Sequence, residues 1–382
     1  MMIREHNWMN RLTIIAALIL LGVALATTPF SAGAATRPTL TPQLLAGVNG
    51  SSTVFVVGTS SDFESNNPAV CNYQACFHLQ RTHDNGAHFT TGHLPSITFA
   101  NGSLLGNLSR VIFATTNDGY ILLGGPATTL EVTLDGAKTW HSASISPGAS
   151  ILDFTTTHSE LFAVIAHCPK NGACTNYQIA RSPLTANKWS FTTLAIQYSS
   201  NGAGLGAYGS NVWLTLQTPT TVVMLTSHNQ GRTFTRSSAP KLGSVDACSI
   251  TAESSTVLWA KCPTGMMVSF FYSGDGGVNW NVLPTYLFSG TGGGAFDPVS
   301  STEAYLAYGL NNSRGAKNFY RVTNDGGTMT AVGILSCTDV IGLAFTNAMN
   351  GLAACYSSNT QATSYLLTTS DGGASWSKVS LN

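Results

Sequence analysis

Charge is what this chain has least of. Lysine plus arginine number 17 and aspartate plus glutamate 17 among 382 residues, 9 % in all and zero net, against roughly 25 % in an average soluble protein. No basic cluster stands ready to neutralise phosphates, so neither nucleic acid nor an anionic membrane surface is an expected partner. Beyond the N-terminal segment no stretch shows a capped helical apolar period, which argues against a helical fold. No cysteine pair has Cys-x-x-Cys spacing, so a zinc site is not expected. There is no Gly-x-Ser-x-Gly elbow, and the run Gly290 to Gly294 lacks the Lys-Ser/Thr that a phosphate loop needs. His83, His88 and His93 are spaced by five, which strings them along a turn and a strand rather than around an ion. Neither a metal nor a cofactor is expected.

Only one long apolar run is present. Leu12 to Ala26 is 15 residues long, preceded by Arg4 and Arg11, with a small-residue site at its end, Ala24-Leu25-Ala26, and another beyond it, Ala32-Gly33-Ala34. That is the form of a secretory signal peptide, and it is short for a membrane span. Residues 1–35 are expected to be this signal and residues 36–382 one domain, with the mature start between 27 and 37. An uncleaved anchor is the alternative. No cysteine precedes Cys71, so an N-terminal lipid-modified cysteine is excluded. The expectation is an exported, extracellular or cell-surface protein, monomeric, with no integral membrane segment after cleavage.

What the chain has in plenty is turns, and they repeat. An eight-residue pattern, Ser/Thr-x-Asp-x-Gly-x-polar-aromatic, is clearest at Ser273 to Trp280 and Thr369 to Trp376. Thr82 to Phe89 and Thr133 to Trp140 are good copies, the second with Ala137 in the glycine slot. Ser227 to Phe234 puts Asn229 in the aspartate slot, Thr323 to Thr330 ends on threonine, and Ser182 to Trp189 keeps only its ends. The closing positions follow one another at intervals of 45 to 51 residues. A fixed period of this length marks a repeat architecture. Short apolar runs such as RVIFATT and YILLGG, separated by turn residues, supply strands.

The pattern resembles the Asp-box (BNR) repeat of sialidase-like β-propellers, from about residue 43 to the end. The stretch from Asp339 to Trp376 is most similar to the repeats of photosystem II assembly factors. The resemblance implies an all-β fold, a seven-bladed β-propeller of four-stranded antiparallel blades. Each box would close the hairpin between a blade's third and fourth strands, with Asp84, Asp135, Asp275, Asp325 and Asp371 holding turn N–H groups and the aromatic packing between sheets. Strand one would line the central channel. Ligands, by family analogy, would lie on the face opposite the boxes.

Eight cysteines fall in four close pairs, Cys71/Cys76, Cys168/Cys174, Cys248/Cys262 and Cys337/Cys355. In an exported chain an even count reads as disulfides, and the repeat phase places each pair within one blade.

Function is less legible. Phe63, Tyr73, Tyr177, Tyr198, Tyr286 and Arg314 fall in the long loops expected on the ligand face and suit an extracellular glycan or protein. A sialidase would need an Arg-Ile-Pro motif and three convergent arginines. The motif is missing, and Arg81 and Arg181 directly precede box turns. Other glycosidases need two carboxyl groups flanking the bond. Asp153, Asp246 and Asp339, which open first strands in alternate blades, are the candidates, although their equivalent placement equally suits turn-capping. The expectation is a non-enzymatic binding or scaffolding propeller, with a sialidase-like glycoside hydrolase as the alternative.

Overall fold

The computed structural model describes residues 41–381 except 49, 61–69, 72–75, 96–107, 124–127, 170–172, 197–201, 219, 241–246, 265–266, 284–293, 309–316, 324 and 358–362. It is a seven-bladed β-propeller of antiparallel sheets, and no helix occurs among the described residues. Each blade takes its strands consecutively from the chain. The inner strands are Thr41–Gly47, Leu108–Phe113, Ser150–Thr156, Ala203–Tyr208, Ser249–Ala252, Ala295–Pro298 and Asp339–Phe345. Blade 1 adds a two-residue strand, Val70–Cys71, to its four. Outer strands are short and polar, such as Thr90–Gly92 and Ser377–Val379. Short polar edges guard against pairing with other chains.

Second and third strands carry the apolar load. Glu160–His167 is buried at its six central positions, as expected for a strand covered on both faces. The buried apolar residues separate into seven clusters, and each lies at the seam between two neighbouring blades. The closing residue of each repeated turn wedges into the seam behind it. Trp140 packs against the cluster of blades 1 and 2, Trp189 against 2 and 3, Phe234 against 3 and 4, and Trp280 against 4 and 5. Trp376 fills the seam of blades 6 and 7, and Phe89 that of 7 and 1. Trp140 and Trp280 also donate their indole N–H across the seam, to the carbonyls of His93 (2.7 Å) and Ser238 (3.0 Å). The polar edge of the ring is thereby satisfied while its face is buried.

The turn itself is a small hydrogen-bonded knot. Thr82 Oγ1 donates to Asp84 Oδ1 (2.9 Å) and accepts the N–H of Gly86 (2.9 Å), and Asp84 Oδ1 accepts the N–H of His88 (2.9 Å). The same three bonds recur at Ser227/Asn229, Ser273/Asp275 and Thr369/Asp371. At Thr133/Asp135 they recur with Ala137 as the donor in the glycine slot. In all five turns the two residues after the acidic or amide position have positive φ, for instance Gly276 (73°) and Gly277 (90°). The second of these also abuts the preceding blade: a Cβ on Gly373 would stand 2.0 Å from the Phe319 ring. At Gly373 glycine is therefore required twice over, by conformation and by space, whereas blade 2 accommodates Ala137 in the same slot.

Blade 6 departs from the sequence reading. Asp325 does not hold a turn knot. It has φ of 54° and Gly326 has 78°, so this pair occupies the two positive-φ slots. A Cβ on Gly326 would meet Tyr272 of blade 5 at 2.8 Å, as the slot demands. The repeat is thus Val322 to Met329, one residue earlier than the Thr323 to Thr330 frame. Met329, not Thr330, packs into the seam of blades 5 and 6, while Thr330 is exposed. The Asp325 carboxylate instead accepts the Tyr272 hydroxyl (2.9 Å).

The ring closes without strand exchange. At the seam of blades 7 and 1, Val54 and Val56 pack with Leu352, Leu366 and Leu381. Asn85 Nδ2 donates to the Thr369 carbonyl (2.6 Å), and Thr368 Oγ1 donates to the Asn85 carbonyl (2.7 Å). Disulfides join Cys168–Cys174, Cys248–Cys262 and Cys337–Cys355, each within a blade. Cys71 and Cys76 are backbone partners in blade 1, and their side chains lie outside the described residues.

The corrected frame predicts an asymmetry between adjacent glycines. Gly326→Ala forces a side chain into the left-handed region and against Tyr272, and should lower stability by about 1–3 kcal/mol. Gly327→Ala, at an exposed position, should change it little. Urea unfolding of both variants checks this, and the reverse ranking would restore the Thr323 to Thr330 frame.

Candidate functional site

The inner strands run in one direction, so their C-terminal ends gather on the face that also carries the repeated turns. There the central channel opens into a cavity of about 350 Å³. Blades 1 to 5 line it, from Gly47 round to Glu253. A second cavity, about 690 Å³, lies along the closing seam between Asp84 to Ala87 and Thr368 to Ser370. Its one carboxylate, Asp84, is already committed to the turn knot and to His88 Nδ1 (2.6 Å). The channel mouth is therefore the better candidate.

Its floor is apolar, with Phe113, Ala207 and Ile250 buried. Thr155 and Thr251 supply hydroxyls, and Tyr208 is 41 % exposed at the rim. Arg110 enters from blade 2, but its charge is matched. Its Nη1 donates to both carboxylate oxygens of Asp153 (2.6 and 2.7 Å), and the guanidinium lies 5.8 Å from the Phe154 ring centroid.

Glu253 is different. It opens the turn after the inner strand of blade 5, its N–H bonded to the Val257 carbonyl (3.0 Å). The same turn bond is made by Val48, Ala114, Thr157, Val299 and Thr346 in other blades. The fold thus accepts a neutral residue at this position five times and carries glutamate once. Among the described residues no side chain partners the Glu253 carboxylate, and burial pushes its pKa up to about 7. Asp297, on the inner strand of the next blade, is likewise pushed up to about 7. Burial is the main cause, the N–H of Phe345 opposes it, and the charge of Glu253 adds to it. Asp297 Oδ2 accepts that N–H at 2.5 Å, tying blade 6 to blade 7.

The residues singled out from the sequence do not form one site. Asp153 is buried in mid-strand; besides Arg110 it accepts the N–H groups of Phe154 (2.9 Å) and Leu205 (2.7 Å). It is a tie between inner strands. Asp339 begins the inner strand of blade 7, at the end of the channel away from Glu253. Tyr177 is not a rim residue: it is 1 % exposed, and its hydroxyl donates to the Cys174 carbonyl (2.7 Å). A ring buried there packs blades 3 and 4 and offers nothing to a ligand. Asp246, Phe63, Tyr73, Tyr198, Tyr286 and Arg314 lie outside the described residues. The cavity itself opens on the turn face, not on the opposite face where the resemblance put ligands. Glu253 was missed because it does not open a strand. Aligning the seven first turns, rather than the boxes, would have exposed it as the odd member.

Among the described residues no group of three or more His, Cys, Asp or Glu side chains could hold a metal, and no helix is long and apolar enough to cross a membrane.

No family profile matches the sequence, and no curated protein matches it. Solved structures do match. An oligogalacturonate lyase from Vibrio parahaemolyticus aligns with a TM-score of 0.51 at 7 % identity, over 87 % of this chain and 91 % of that one. YCF48 from Cyanidioschyzon merolae aligns at 15 % identity with a TM-score of 0.42, over 67 % of this chain and 74 % of that one. The GH74 enzyme of Niastella koreensis aligns at 12 % identity with a TM-score of 0.34, over 88 % and 71 %. Identities this low speak of fold alone.

The raised Glu253 pKa fixes a sign. The folded chain holds this proton more tightly than the unfolded chain, so stability falls as pH rises from the ordinary glutamate value through about 7. Glu253→Gln should therefore stabilise at pH about 8, by on the order of 1–3 kcal/mol, and have little effect near pH 4. Thermal unfolding at the two pH values measures this, and equal shifts at both would place the carboxylate in water. Asp84 and Asp371 have the opposite sign. Hydrogen bonds from His88 and from Ser375, respectively, hold their pKa values down to about 2. Their contribution is complete above the ordinary aspartate value and is lost as pH falls through about 2.

Proposed function

We propose that the chain is an exported binding or scaffolding propeller of the Asp-box (BNR) kind, monomeric and without catalytic activity, which takes an extracellular protein or glycan. The observation that carries this reading is how the carboxylates are used. Turn aspartates hold backbone N–H groups. Asp153 binds Arg110, Glu303 binds Arg321, and Glu131 accepts from Ser142. Such acids stiffen a scaffold and are not available to transfer protons. The three disulfides suit an oxidising compartment. The apolar run Leu12 to Ala26 supports removal of residues 1–35 during export.

One observation favours a second reading, a glycoside hydrolase of the sialidase-like superfamily. Burial pushes both Glu253 and Asp297 up to about 7, and the charge of Glu253 adds to the rise of Asp297. A glycosidase needs one carboxyl protonated and another ionised. Here no cation holds either one ionised among the described residues, and Asp297 is engaged by Phe345.

Purified residues 36–382 should turn over no member of a broad glycan panel, and should bind members of a glycan and exported-protein array. Turnover abolished by Glu253→Gln or Asp297→Asn would transfer the protein to the hydrolases.

A further inference from the structure

The channel mouth combines four features on different blades. Its floor is apolar, from Phe113, Ala207 and Ile250. Tyr208 stands at the rim with its ring exposed. The cation that lines it, Arg110, is neutralised by Asp153. The carboxylate that lines it, Glu253, has no partner among the described residues and stands where five other blades carry a neutral residue. Asp297, on the inner strand of the next blade, does not line the cavity and is engaged by the Phe345 N–H.

We propose that the channel mouth is a binding site for an alkylammonium group, with Glu253 as its counter-ion. The chemistry of the walls selects this class. An unpartnered, partly desolvated carboxylate is best completed by a cation that donates hydrogen bonds. An apolar floor receives a methylene stem, the arrangement that lysine side chains adopt when the stem is buried and the head is charged. An exposed tyrosine face attracts the same head group. A carboxylate-bearing ligand meets the wrong sign, since Arg110 is already spent on Asp153. At about 350 Å³ the cavity is at the small end of ligand pockets, large enough for one side chain or a short diamine and too small for a folded segment. His158, which also lines the cavity, is exposed to solvent.

The inference rests on the binding reading above but not on which partner that reading finds. The ammonium has two sources, a lysine on a protein or a free aliphatic diamine. Isothermal titration of residues 36–382 with Nα-acetyl-lysine methylamide, with 1,5-diaminopentane and with Nα-acetyl-norleucine methylamide separates them. Both amines should bind, and the neutral norleucine analogue should bind at least tenfold more weakly. Tighter binding of the lysine amide assigns the site to a protein partner, and tighter binding of the diamine assigns it to a free amine. Glu253→Gln should lose at least tenfold for either amine. This substitution keeps the side-chain shape and removes a half-buried charge, so the fold is retained; Tyr208→Ala, at an exposed position, should weaken both amines without lowering the melting temperature. Equal affinity for the norleucine analogue, unchanged affinity in Glu253→Gln, or no heat from either amine at about 10 mM would overturn the proposal. If an array partner binds wild type and Glu253→Gln equally while both amines fail, the inference falls and the binding reading stands.

Discussion

A propeller has no common core, so everything here depends on the seam between one blade and the next. Seven seams each bury a separate apolar cluster, and each receives a side chain delivered by the hairpin turn of the following blade. The turn and the wedge are one device. Hydrogen bonds around the Ser/Thr hydroxyl and the Asp carboxylate fix the backbone, and two positive-φ residues bring it against the preceding blade. Only then does the aromatic residue point into the seam. The disulfides lie within blades and cannot close the ring. Closure rests on Phe89, Leu381 and the bonds between Asn85 and Thr368 or Thr369.

That economy explains why the fold was so legible in the sequence. The clearest turns write a hydroxyl, a carboxylate, a glycine and an aromatic residue within eight positions, and the spacing of all seven counts the blades. The three within-blade disulfides followed from the same phase. The frame slipped once, in blade 6, because Asn324-Asp325-Gly326-Gly327 offers two ways to place an acid before a glycine. The tie is broken by space: Gly326 meets Tyr272, whereas Gly327 is exposed. Contact with a neighbouring blade is not written in the local string. Ser182 to Trp189 shows the converse. Its acid and glycine are gone, yet Ser182 Oγ still accepts a turn N–H, from Lys188, and Trp189 still wedges.

The site was far less legible. Asp153 looked like a channel carboxylate, but its partners Arg110 and Leu205 come from the two neighbouring blades and are separated from it in sequence by 43 and 52 residues. Tyr177 looked like a loop aromatic, and a bond to a carbonyl three residues away holds it inside. Glu253 carries no motif. It becomes visible only when equivalent turns are compared and the neutral residue expected at its position is absent. A repeat fold makes that comparison possible within a single chain. Departures from the repeat that cost the fold stability, as an unpartnered half-buried carboxylate does, mark positions retained for something other than folding.

The seam account is tested most directly by truncating the seven closing residues, Phe89, Trp140, Trp189, Phe234, Trp280, Met329 and Trp376, to alanine one at a time, with Thr330→Ala as control, and measuring equilibrium unfolding. Each of the seven should lose about 2–4 kcal/mol from a single cooperative transition, and the control should lose none. A Thr330→Ala loss matching the others, with Met329→Ala neutral, would contradict the account, as would truncations that leave stability unchanged.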